Sequence, residues 1–310
     1  MAGSVIALLF PGQGAQQVGM GKGLYDEFTI ARRTFEEAND VLGYDLARIC
    51  FEGPREDLMA TRTCQPAILT TSVAVYRVAQ EQGLDGDLTM GHSLGEYSAL
   101  VASGLIDFHE ALRLVERRGD VTEAVAMANP GSMAAILGGT EEDVEELCRQ
   151  AGDVWPANFN CPGQVVASGL HRGVDRLLDL AHARGLKGRL LDVDGAFHSA
   201  VMAPAAEKLR AALDKVSLPD TQTKPFLSAT TAAFEQGERL RALLAQQLTA
   251  PVRFTQTVRA ALDHGVDQFV ELGPRSVLVG LVRRIRSDVE TYHVGEPGDL
   301  PGLAELLRTS

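Results

Sequence analysis

Gly91-His92-Ser93-Leu94-Gly95 stands between a short apolar run, Leu88–Met90, and a helical stretch that begins near Glu96. A G-x-S-x-G turn joining a strand directly to a helix is too tight for side chains at its glycines, and it pushes the serine hydroxyl outward. It also sets the backbone N–H of Leu94 at a helix start, where it can donate to an oxyanion. The chain opens with the same local grammar. Val5–Phe10 reads as a strand, Pro11-Gly12-Gln13-Gly14 as a turn, and a helix follows from about Gly19. Helical patterns recur at about Ile30–Leu42, Gln65–Gln82 and Asp107–Ala128. Short strands alternating with helices predict an α/β fold with a mostly parallel sheet.

Between 129 and 193 the rhythm changes. Ser132–Leu137 reads as a strand, Glu141–Gln150 as a helix, Val154–Asn158 and Val165–Gly169 as strands, His171–Arg184 as a helix and Arg189–Val193 as a last strand. That βαββαβ order is ferredoxin-like. The α/β rhythm then resumes through Phe269–Leu272. The expected organisation is an α/β-hydrolase-like catalytic domain of residues 1–128 and 194–310, with a parallel sheet, interrupted by a ferredoxin-like subdomain of residues 129–193.

Composition removes several functional classes. The net charge of −12 over 310 residues argues against nucleic acid, whose phosphates need a basic surface. No apolar run approaches the roughly 18–20 residues that span a bilayer, and Val5–Phe10 lacks the basic leader of a signal peptide. Four cysteines, Cys50, Cys64, Cys148 and Cys161, are scattered without metal-ligand spacing and fit reduced thiols in a cytosol. The seven histidines form no HxxxH or HExxH cluster, so no metal site is expected.

A serine hydroxyl needs a base within hydrogen-bond reach. His109, His171, His182 and His264 lie in or beside polar helical stretches and read as solvated, and His293 is near the C-terminal tail. His92, inside the turn, is expected to pack beneath it. His198 differs, because Gly195-Ala196-Phe197-His198-Ser199 follows a strand and precedes a helix where the insert rejoins the main domain. A loop histidine there could reach the serine across a cleft, although spacing alone does not assign it as the base.

Arg118 is the one charge on the apolar arc of the helix Asp107–Ala128, among Leu114, Val115, Val121, Thr122 and Val125. A buried guanidinium needs an anionic partner. That partner is either a core carboxylate or the carboxylate of a substrate, gripped by two parallel N–H···O bonds.

The sequence resembles the malonyl-CoA:acyl carrier protein transacylases of fatty acid synthesis, whose fold also serves as the acyltransferase domain of polyketide synthases. The resemblance covers nearly the whole chain. It is carried by Phe10-Pro11-Gly12-Gln13-Gly14-Ala15-Gln16, Gln65-Pro66-Ala67, Gly91-His92-Ser93-Leu94-Gly95-Glu96-Tyr97, Leu114-Val115-Glu116-Arg117-Arg118-Gly119, Asn158-Phe159-Asn160-Cys161-Pro162-Gly163-Gln164, Ala196-Phe197-His198-Ser199 and Glu271-Leu272-Gly273-Pro274. It implies Ser93 as acyl-accepting nucleophile, His198 as its base and later acid, and the N–H groups of Gln13 and Leu94 as an oxyanion hole. It implies Arg118 as a clamp on the malonyl carboxylate, with Phe197 a malonyl-selecting neighbour of the base. The histidine is then oriented by a backbone carbonyl at Gln247, although Asp192 or Asp194 could be misread as a third triad member. Malonyl-CoA and an acyl carrier protein are the implied partners, the cytoplasm the implied location, and no cofactor is implied beyond the coenzyme A of the substrate. Three departures from the family pattern stand out: Met90, Ala229 and Cys161. The first two are expected to reshape the acyl pocket and leave acyl specificity open.

The nearest competing class is a serine thioesterase or esterase, which uses the same turn but adds an acid and has no reason to bury an arginine beside the serine. A polyketide acyltransferase of other specificity and a non-catalytic carrier-docking protein are further alternatives. Lys187 and Arg189 on the insert, with Arg283, Arg284 and Arg286 near the C-terminus, are candidate basic contacts for an acidic carrier protein, and a solvated surface explains each as well.

Overall fold

The structure, a computed structural model, describes residues 4–219 and 222–309. The outer limits of the expected large domain, residues 1–3 and 310, lie outside these. Among the described residues ten strands build two sheets. They are β1 (Ile6–Phe10), β2 (Leu88–Gly91), β3 (Gly131–Leu137), β4 (Val154–Cys161), β5 (Gln164–Leu170), β6 (Lys187–Leu190), β7 (Phe226–Ser228), β8 (Ala233–Phe234), β9 (Gln268–Leu272) and β10 (Glu290–Val294).

β1 has no polar residue and is buried along its whole length, which requires cover on both faces. Its side chains alternate accordingly. Ile6, Leu8 and Phe10 enter a core shared with Phe35, Ile68, Leu100 and Leu112, while Ala7 and Leu9 enter a second one with Met90, Phe254 and Phe269. The large sheet runs β10-β9-β1-β2-β7-β8, parallel through its first five strands with β8 antiparallel at the edge. The fold is α/β, with helices on both faces of this sheet.

The second sheet, β4-β5-β3-β6, is antiparallel. Helices Glu141–Ala151 and His171–Ala183 cover one face through Val144, Leu147, Val174 and Leu177. This is the ferredoxin-like arrangement. Its other face, with Met133, Ala135, Ala157 and Val166, packs against Leu191, Val193 and Phe197. β4 is tied to the large sheet's side of the molecule through Val252, whose N–H donates to Ala157 and whose carbonyl accepts from Phe159, both at 2.8 Å. No helix of the described residues is long and apolar enough to cross a membrane.

Several boundaries differ from those expected: the helix expected over Gln65–Gln82 spans Thr61–Glu81, the strand expected over Val154–Asn158 runs on to Cys161, and two further differences have a clear physical cause. The last strand of the insert is Lys187–Leu190, not Arg189–Val193. Leu191 N–H still bonds the Met133 carbonyl, but the chain then leaves the sheet, and Leu191 and Val193 become apolar cover for the cleft. Their alternation imitates a strand. The helix expected from Gly19 begins at Lys22, because Gly19 and Gly21 hold left-handed turn conformations with φ of +97° and +77°.

Candidate active site

Three backbones meet at the end of β2, and glycine permits it. A Cβ on Gly91 would lie 2.1 Å from the carbonyl carbon of Gly95, and one on Gly95 would lie 2.0 Å from the Phe10 carbonyl oxygen. Ser93, at the apex, has φ of +52°, a conformation that costs a residue with a Cβ about 1–3 kcal/mol and persists only where the surroundings enforce it. Gly95→Ala is therefore expected to destabilise the protein by about 3 kcal/mol or more, since the clash is with backbone that cannot step aside. Denaturant unfolding checks this, and a loss below about 1 kcal/mol would mean the junction is more pliant than its distances indicate.

Ser93 Oγ lies 2.6 Å from His198 Nε2. His198 also has positive φ, +57°, and its Nδ1 is 2.9 Å from the Gln247 carbonyl oxygen and 3.1 Å from that of Ala250. Carbonyls only accept, so Nδ1 carries the ring proton and Nε2 turns its lone pair to the serine. Burial, reinforced by the Arg118 charge, pulls the imidazole from 6.5 down to about 3, so it is neutral at physiological pH. Asp192 and Asp194 are exposed and take no part, Asp192 pairing instead with Arg55 at 3.1 Å.

This shift has a definite sign. Below pH 6.5 the unfolded chain protonates the ring while the folded protein does not until about 3, so stability contributed by His198 is complete above 6.5 and declines as pH falls toward 3. Activity behaves differently. The base stays deprotonated through this range, so kcat/KM for the acyl donor is expected to show no limb near 6.5. A pH series of melting temperatures and of kcat/KM tests both, and an acid limb centred at 6.5 would contradict the buried, neutral histidine.

Arg118 is 4% exposed. Nη1 donates to Gln65 Oε1 at 2.7 Å, and Nη2 donates to Gln247 Oε1 at 3.1 Å and to Ser93 Oγ at 3.2 Å. The Tyr97 ring lies 5.9 Å from the guanidinium carbon. Among the described residues no carboxylate forms an ion pair with it. Of the two partners that its burial suggested, the core carboxylate is not present at contact; two neutral amide oxygens hold the cation beside the serine. Burial pulls the guanidinium pKa down, yet an arginine remains charged in such a site.

A cavity of about 100 Å³ opens on these groups. It is small beside the roughly 300–1,000 Å³ of a pocket for drug-sized ligands, and so suits a short acyl group. Gln13, His92 and Asn158 supply its polar wall; Met133, Leu191, Val193, Phe197 and Leu248 supply the apolar one. His92 does not pack beneath the turn. It lies in this wall, partly exposed, with Nε2 2.9 Å from Asn160 Oδ1 and its ring 5.6 Å from that of Phe254. Met90 and Ala229, expected to shape the pocket, are buried in the core behind the sheet and line none of it. Cys161 is buried, its Sγ 3.6 Å from Gln164 Oε1.

The Leu94 N–H sits at the start of helix Gly95–Ala102. Gly12 packs so closely on the His92 carbonyl, 2.3 Å from its would-be Cβ, that the Gln13 loop is drawn alongside Leu94. Neither the Leu94 nor the Gln13 amide has an acceptor among the described residues, leaving two donors beside Ser93.

Sequence reasoning passed over three contributors. Gln65, quoted only as part of a motif, holds Arg118, and Asn160 holds His92. Glu96 is 2% exposed and bonded to Gln247. The signal that exposed Arg118, a lone charge among residues that must be buried, applies equally to Glu96 in Gly95–Ala102. The basic candidates are dispersed. Arg283 bonds Thr291, Arg284 bonds Gln164 and Pro162, and Arg286 pairs with Asp288, while Lys187 and Arg189 lie exposed on the edge strand β6. Among the described residues no group of three His, Cys, Asp or Glu side chains could hold a metal ion.

Residues 7–295 match the family model for the acyl transferase domain. The malonyl CoA-acyl carrier protein transacylase of Bacillus subtilis strain 168 is 41% identical over 310 residues, covering 98% of each chain. The MCAT structure from Streptococcus pneumoniae superposes with a TM-score of 0.93 at 43% identity, covering 97% of this chain and 99% of that one. A malonyl-transacylase solved in complex with a type II PKS acyl-carrier protein gives a TM-score of 0.95 at 41% identity, covering 98% and 100%.

Proposed function

The chain belongs to the acyl transferase family, and we propose that it moves malonyl groups from coenzyme A to the phosphopantetheine thiol of an acyl carrier protein through an ester on Ser93. The observation that carries this reading is a cation 3.2 Å from a hydroxyl whose other neighbour, at 2.6 Å, is a neutral imidazole. A general thioesterase has no use for a buried guanidinium there, whereas an acyl group ending in a carboxylate does.

In the first half-reaction Ser93 Oγ attacks the thioester carbon and its proton passes to His198 Nε2. The Leu94 and Gln13 amides receive the oxyanion, each contributing about 3–4 kcal/mol to the transition state. The carbon–sulfur bond breaks and His198 returns the proton to the coenzyme A thiolate. The second half-reaction runs the same steps in reverse with the pantetheine thiol as nucleophile. The Gln247 carbonyl keeps His198 in the required tautomer throughout. Arg118 holds the malonyl carboxylate and Phe197 closes the apolar side of the acyl pocket.

A groove of about 190 Å³ leads outward past Asn158 and Asn160 between Val166 and Leu281. Its mixed amide and apolar walls suit a pantetheine arm. In this reading residues 129–193 form one domain and 1–128 with 194–310 the other, the acyl group binding between them. Exchange of one thioester for another needs no cofactor beyond the substrate's coenzyme A. Four buried free cysteines favour the cytoplasm, where fatty acid or polyketide synthesis would use the product.

The test is transfer with and without acceptor. Malonyl-CoA plus holo carrier protein is expected to give malonyl carrier protein, with slow release of free malonate when the carrier is omitted. Rapid acceptor-independent hydrolysis would instead assign the site to a thioesterase.

A further inference from the structure

Glu96 is a lone carboxylate in a buried helix, and such a group persists only with donors. Oε1 accepts the Ala229 N–H at 2.7 Å, and Oε2 accepts Gln247 Nε2 in a short contact. Burial pushes its pKa up, and these donors, with the nearby Ser228 hydroxyl and the Arg118 charge, draw it back. Gln247 Nε2 also donates to the Ser93 carbonyl oxygen at 3.0 Å. With both amide hydrogens engaged, only Oε1 is left for Arg118 Nη2, 3.1 Å away. An amide is nearly symmetric in shape, so its orientation is set by its partners. Reversed, Gln247 would set an NH₂ against the guanidinium and its oxygen against the carbonyl of Ser93.

We infer that Glu96 is a positioning residue for the acyl carboxylate: it locks the Gln247 amide with its oxygen toward Arg118, and so holds the guanidinium beside Ser93. The inference rests on the acyl-transfer reading above. Gln247 divides its duties, its side chain serving Arg118 and its backbone carbonyl serving His198. Disturbing Glu96 therefore acts first on recognition of a charged acyl group and reaches the serine–histidine pair only through the Ser93 carbonyl and the Gln247 backbone.

Glu96→Gln keeps the shape but replaces one acceptor oxygen with an NH₂. With its oxygen kept on the fixed Ala229 N–H, the new amide turns its NH₂ to Gln247 Nε2, donor against donor, and reversal of Gln247 relieves the conflict. The ratio of malonyl to acetyl loading, each measured as kcat/KM from its coenzyme A thioester, is expected to fall about tenfold or more. Gln247→Met should give a shift of the same sign, and the double variant should be no worse than the more damaged single one. Glu96→Asp, which keeps both acceptor oxygens but sets them back, should fall between wild type and Glu96→Gln, and carries the test if Glu96→Gln does not fold. An unchanged ratio in Glu96→Gln or Glu96→Asp overturns the inference. So do equal losses for both thioesters, which would place Glu96 behind the serine–histidine pair. The wild type in the same assay separates this from the parent reading: if it fails to load malonyl, the functional proposal falls and takes this inference with it.

Discussion

Ser93→Ala is expected to stop acyl-enzyme formation and lower malonyl transfer by about 10⁴-fold or more, because among the described residues no other hydroxyl bonds His198 Nε2. The loss should be chemical rather than structural. Alanine removes only the Oγ contacts to His198 and Arg118, so stability should change by about 1 kcal/mol or less. His198→Ala should cost transfer comparably, and the double variant little more than either alone, since the two side chains work as one unit. Steady-state transfer assays beside thermal melts check this. Transfer surviving within tenfold of wild type, with an intact fold, would remove Ser93 from the reaction.

Arg118→Ala is expected to lower kcat/KM for malonyl-CoA by about 10²–10³-fold, the cost of leaving a carboxylate without its buried partner. Acetyl-CoA carries no such group, and its loading should hold or rise. Arg118→Lys should recover little, because an ammonium offers a point charge where two parallel N–H···O bonds are needed. Gln65 and Gln247 each lose a donor, and the buried Glu96 carboxylate, which feels the Arg118 charge without touching it, loses that support for either thioester alike. Parallel loading of the two thioesters is the measurement. Equal losses for both would mean that Arg118 supports the fold of the site and does not read the acyl group.

Much of this arrangement was legible from local rules. The turn around Ser93 announced itself because two glycines at fixed spacing lie between a strand and a helix. The βαββαβ order of the insert followed from turn residues and alternating burial, and Arg118 stood out as a charge on an apolar arc. What escaped was set by long-range packing. Glu96 and Gln247 are 151 positions apart and meet only because the turn after β2 packs against the end of helix Gly237–Gln246. His92 was misplaced for the same reason: its partner Asn160 comes from the other sheet, and no local pattern links them. Arg189–Val193 failed as a strand because an apolar residue at every second position serves a cleft wall as well as a sheet. Met90 is close in sequence to Ser93, yet β2 turns its side chain to the opposite face, and Ala229, just past the end of β7, enters the same core.

The most direct test is mass spectrometry of the intact protein after brief exposure to malonyl-CoA, followed by mapping of the adduct. Acyl transfer through Ser93 requires one malonyl group on the peptide that carries this residue, absent from Ser93→Ala and discharged by a holo acyl carrier protein. A malonyl adduct on another residue, or a Ser93 ester that water clears as fast as the carrier protein does, would contradict it.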